Sequence, residues 1–145
     1  MKRLIAPITV LLLLTACSGM FGVGGGQSSS SLAASSSSVA TADIIVDSPA
    51  SNGTVQSPLT ITGRAKGTWY FEATFPIRLL DDLGNEIAVG HADAQGDWMT
   101  EDYVPFTATL PFTTAAKNGT LVLHKDNPSG LLENDASVSV PVRFQ

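Results

Sequence analysis

The sequence predicts an all-β domain, a sandwich of about seven short strands, and three observations carry that prediction. From Thr68 to Asp81, Trp69, Phe71, Ala73, Phe75, Ile77 and Leu79 share one parity, and Tyr70, Glu72, Thr74, Pro76 and Arg78 share the other. That is the period of a strand with one buried and one wet face. From Asp43 onward, turn-forming residues recur at short intervals, the spacing expected of successive strands. No long stretch has the 3.6-residue period of an amphipathic helix, and only 14% of residues are charged.

The chain opens with three segments. Residues 1–16 place Lys2 and Arg3 before an apolar run from Leu4 to Leu14 and end on small residues, the parts of an export signal too short for the roughly 20 residues of a membrane span. Leu14-Thr15-Ala16-Cys17 resembles the lipobox of bacterial lipoproteins, in which the cysteine sulfur takes a diacylglycerol and cleavage occurs just before it. Cys17 is thus the expected lipidation site, its acyl chains (diacylglyceryl, palmitate) each adding about 0.8 kcal/mol per buried methylene. Ser18 follows where aspartate would stand in a retained lipoprotein, and that resemblance implies the outer membrane in a two-membrane cell. In a one-membrane cell the same lipid holds the protein on the outer face of the cytoplasmic membrane. Residues 17–42 carry no charge and are rich in serine and glycine, which predicts a flexible tether with a span of about 25–30 Å; an O-glycosylated serine stalk is the alternative.

The domain, 43–145, follows. Asp43 to Asp47 is a short first strand, closed by Ser48-Pro49 and turned by Ser51-Asn52-Gly53. Pro58 to Gly63 is the second, and Thr68 to Asp81 the long third, with Pro76 marking its expected bend. Asp81 to Asn85 reads as a hairpin loop feeding Glu86 to His91. After the Ala94-Gln95-Gly96-Asp97 turn comes Asp102 to Phe112, with Pro105 and Pro111 placing it near a sheet edge. Thr120 to Lys125 is the sixth strand. In the last, Ser137 to Phe144, Val138, Val140, Val142 and Phe144 face inward. This is the pattern of an immunoglobulin-like sandwich without its cysteine pair.

Five segments in order resemble one family: Ser57 to Gly63, Thr68 to Ala73, Gly96 to Thr100, Val104-Pro105-Phe106 and Leu121 to Gly130. They resemble the immunoglobulin-like domain named after bacterial spore-germination proteins, from about Ile44 to Phe144. The resemblance implies a β-sandwich serving as an extracytoplasmic accessory or interaction module, linked to spore germination or sporulation. It brings no catalytic residues.

Charge and chemistry narrow the function. Eight basic residues stand against 13 acidic ones, and losing Lys2 and Arg3 with the leader makes the balance more negative. That sign argues against nucleic acid as a partner and against docking on anionic head groups, so membrane attachment is expected from the N-terminal lipid. His91 and His124 lack a second ligand at metal spacing, and no nucleophile elbow or phosphate loop follows a strand, so neither a metal nor a cofactor is expected. Asp81, Asp82, Asn85 and Glu86 could gather around calcium, but turns select the same residues for backbone reasons. Asp97 with Glu101 could form a glycosidase pair only at a separation a loop sequence does not give.

Two stretches carry binding potential. In Gly96 to Tyr103, Trp98 and Tyr103 stand among acids, either as a platform for a sugar or protein partner or, for Trp98, as a lid folded onto the core. In Asp126 to Gly130, Asp126 and Asn127 either bond a ligand or close a tight turn. The expected function is a non-enzymatic envelope lipoprotein whose domain binds another envelope protein. A cell-wall (peptidoglycan) or glycan binder is the alternative, and an unrecognised hydrolase the third reading.

Overall fold

The structure, a computed structural model, describes residues 37–145. The expected leader, Cys17 and residues 17–36 of the expected tether lie outside the described residues. Nine strands form one hydrogen-bonded sheet: β1 (Val39–Ala40), β2 (Ile44–Ser48), β3 (Gly53–Val55), β4 (Leu59–Lys66), β5 (Thr74–Asp81), β6 (Glu86–Ala94), β7 (Tyr103–Leu110), β8 (Asn118–His124) and β9 (Ser137–Phe144). Their order is β1-β2-β4-β7-β6-β5-β8-β9-β3. Every pairing is antiparallel except β3 with β9.

The all-β class holds, while the expected seven strands become nine in a single curled sheet. Its two halves join through only Asp93 with Thr107 and Ala94 with Phe106, and the sheet curls so that β1 comes beside β9. The two additional strands are short edge pieces. β1 lies inside the segment read as tether, because unpaired backbone groups of β2 offer it a ladder. The paired domain therefore begins before Asp43.

The core lies between the halves. Ile44 and Val46, Leu59 and Ile61, Phe75 to Leu79 on alternate positions, Val104 to Leu110, Leu121 with Leu123, and Val138 to Phe144 all point into it. Phe75, fully buried, is its aromatic hub, with rings of Trp69, Tyr70 and Phe106 at 5.9, 5.2 and 5.0 Å.

The long third strand requires correction. Only Thr74–Asp81 is extended, and Gly67–Trp69 is a turn of 3-10 helix. Phe71 and Thr74 bond each other in both directions, at 2.9 and 3.1 Å, around Glu72 and Ala73, both with positive φ. Left-handed backbone at both central residues is the demand of a type I′ turn, which ordinarily uses Asn-Gly. The turn shifts the parity, so Tyr70 is buried and Phe71 is 43% exposed, opposite to a continuous strand. Pro76 pairs with His91 of β6 at the point where pairing to β8 has not yet begun.

Candidate functional site

The ends of the strands define two poles. At one, here the base, lie the 49–53 turn, the Asp81–Asn85 hairpin and the 111–117 connection. Ser37 also reaches the base, its carbonyl accepting from Ser51 N–H at 3.0 Å, as does the C-terminal Gln145, whose N–H donates to Val55 O at 3.1 Å. At the other pole, the apex, lie residues 66–73, 95–102 and 125–136, connecting β4 to β5, β6 to β7 and β8 to β9.

The apex is built on the segment Gly67 to Phe71. Gly67 N–H donates to Asp102 O at 3.1 Å, and Trp69 O accepts from Asp126 N–H at 3.0 Å, so the two neighbouring loops grip this segment from either side. Position 67 must be glycine, since a Cβ there would run into the carbonyl oxygens of Trp98 and Thr100. Trp69 and Tyr70 are buried beneath the loops. The Tyr70 hydroxyl donates to Val104 O at 2.8 Å, and burial pushes its pKa up to about 12, so it keeps its proton across the neutral range.

A groove of about 370 Å³ on one side is lined by Gly67, Thr68, Tyr70, Trp98, Met99, Thr100 and Glu101. Trp98 is half-buried, packed against the core with part of its ring left to line this groove. Met99 beside it is 78% exposed. A second groove of about 340 Å³ runs from Thr68, Tyr70 and Phe71 to Lys125, Asp126, Asn127, Pro128, Ser129 and Asn134. The two stretches the sequence marks separately therefore flank one ridge, Thr68 to Phe71.

The four expected binding residues take different parts. Trp98 lines a groove, and Asp126 lines the other while its N–H holds Trp69. Tyr103 donates its hydroxyl to Ala42 O at 2.7 Å and so ties the incoming chain to β7. Asn127 is spent inside its own loop: its Nδ2 donates to Leu131 O at 2.8 Å and to Asp135 Oδ1, and its Oδ1 accepts from Ser129. That is a turn-forming role. Met99 and Leu132, the last 86% exposed, are surface residues the sequence gives no role, though a large apolar side chain on a loop was the available signal; Phe71, expected on the buried face, is at the surface because of the Glu72-Ala73 turn.

Carboxylates crowd this pole. Asp43, Glu72, Asp93, Asp97, Glu101, Asp102, Asp126, Glu133 and Asp135 are at or near it, most of the chain's 13 acidic side chains, against Lys66 and Lys125. Lys66 is engaged with Asp43 at 3.4 Å.

Elsewhere, Asp81 accepts from Leu83 N–H, Asn85 N–H and Asn85 Nδ2 at 2.9, 2.7 and 2.9 Å, which spends its carboxylate on the hairpin. The hydrogen bond from the Asn85 side chain leads in holding its pKa below the ordinary carboxylate value. His124, half-buried, is pushed down by burial and then by nearby Arg78. Among the described residues, no group of three or more His, Cys, Asp or Glu is placed to hold a metal ion.

A family model described as the immunoglobulin-like domain of bacterial spore germination matches residues 43–130, a span that covers β2 to β8 and the Trp98 groove. No curated protein and no solved structure matches the chain.

Proposed function

The chain belongs to the immunoglobulin-like domain family of bacterial spore germination, and from that premise we propose that it is a non-enzymatic interaction module, lipid-anchored in the cell envelope, that docks another envelope protein through its apex. One observation carries the reading: Ser37, from which the chain runs up β1 to Ala42, and the grooved, partly apolar pole lie at opposite ends of the domain. Strands of eight residues separate those poles by roughly 26 Å at about 3.3 Å per residue. A tether from Cys17 would thus present the apex outward, away from the membrane. We read the curled sheet as an immunoglobulin-like sandwich closed at one corner by the β6–β7 pairs.

Exposed Met99 beside half-buried Trp98 supplies the apolar anchor such interfaces use. Full-length protein extracted in detergent and chemically cross-linked in envelopes should capture one protein near one-to-one. Trp98→Ala and Met99→Ser should lose that capture while keeping the wild-type circular dichroism, and Met99→Ser, at an exposed position, should also keep the thermal midpoint. Retention on bare cell wall with no captured protein would replace this reading with the glycan-binding one. The anchor has its own test: Cys17→Ala should move the protein from the membrane to the soluble fraction.

A further inference from the structure

Resting on the docking reading above, we infer that the apical groove beside Trp98 takes a lysine- or arginine-rich polypeptide segment of the partner that inserts a large apolar side chain there. The groove floor is apolar, made by the Tyr70 and Trp98 rings and the Met99 side chain, and its open mouth leaves that surface in water. Covering it is favourable by the ordinary hydrophobic effect. What kind of chain covers it follows from the rim. Glu101 lines the groove itself, and Glu72 stands exposed on the left-handed turn next to the ridge. Among the described residues neither belongs to an ion pair; the pairs there are Arg64–Asp47, Lys66–Asp43 and Arg78–Glu86. An apolar cleft with an uncompensated negative rim attracts cationic segments and repels anionic ones. Anionic wall polymers and acidic lipid surfaces are disfavoured by the same sign. A basic segment with an apolar anchor satisfies both features at once.

The test uses the full-length protein in detergent and three synthetic peptides: one alternating lysine with leucine and bearing a tryptophan, one with glutamate for lysine, and one with serine for the apolar residues. Binding is followed by anisotropy and by amide chemical shifts. The basic apolar peptide should bind, perturb the amides of Thr68, Trp98 and Met99, and weaken as salt rises. Glu101→Lys combined with Glu72→Lys should weaken it roughly three- to tenfold, the scale of exposed charge pairs. Equal binding of the acidic peptide, or no effect of the charge reversals, would overturn the inference. So would shifts confined to the base. Failure of every peptide while Trp98→Ala still abolishes capture of the envelope partner would sink the cationic segment and leave the docking reading standing; capture indifferent to Trp98 and Met99 would remove both.

Discussion

The hairpin loop Asp81 to Asn85 at the base and the loop Gly96 to Asp102 at the apex are made of similar residues, acids with glycine and one or two large apolar side chains. They do opposite things. In the basal loop one carboxylate closes the turn on itself, Gly84 takes the left-handed position, and Leu83 is the one large apolar side chain that projects. In the apical loop, Asp97 bonds only Met99 N–H at 3.0 Å among the described contacts, and the backbone is pressed against Gly67. The ridge behind the apical loop, which the basal hairpin lacks, turns a connection into a grooved surface. Turn composition alone does not separate a finished turn from a grooved face; what lies beneath the loop does.

The contrast can be broken most severely by removing what both poles rest on. Phe75→Ala deletes the ring that joins Trp69 and Tyr70 of the ridge to Phe106 of the core. A fully buried phenylalanine truncated to alanine costs about 3–5 kcal/mol. Urea denaturation should show a correspondingly lower midpoint, with both poles unfolding together. A midpoint near wild type would mean that the ridge is not coupled to the core.

Gly67→Ala acts on the apex alone. Its methyl group would force the carbonyls of Trp98 and Thr100 away, an overpacking that costs about 1–3 kcal/mol. Hydrogen exchange should quicken in residues 96–102 and 125–131 while the Asp81–Asn85 hairpin keeps its protection. Equal acceleration at both poles would show that they form one cooperative unit.

What the sequence revealed of this arrangement follows from what alternation can and cannot report. β9 is read to its ends because Val138, Val140, Val142 and Phe144 alternate with no turn residue among them. The start of the central stretch is misread for a related reason. Trp69 and Phe71 extend the parity of Phe75, and Glu72-Ala73 carries none of the Asn-Gly signal of the turn it makes. β1 and β3 are too short to show a period, and their pairing is decided by neighbours. At the site, the aromatic loop and the Asp126 loop are both legible as loops. Their meeting across Thr68 is not, since it depends on β5 lying between β6 and β8 in the sheet. Asn127 is legible only as a turn former or a ligand, and its hydrogen bonds to Leu131 and Asp135 select the turn.

The smallest expected effect sharpens the other side of the comparison. Folding holds the Asp81 carboxyl below its ordinary value of 3.8, first through the Asn85 side chain and then through the hairpin amides. A carboxyl depressed on folding contributes stability that is present above the unfolded value and is lost as pH falls through the folded one. The contribution is therefore whole at neutral pH and fades below about pH 4. The site is exposed, so solvent screens it and the effect is slight. Thermal midpoints measured from neutral to acidic pH should fall a little less steeply for Asp81→Ala than for wild type, from a slightly lower value at neutrality. Apical hydrogen exchange and partner capture should not change. If they did, the hairpin at the base would be speaking to the grooves through β5, whose two ends are Asp81 and Thr74, and the two poles could no longer be treated as separate regions.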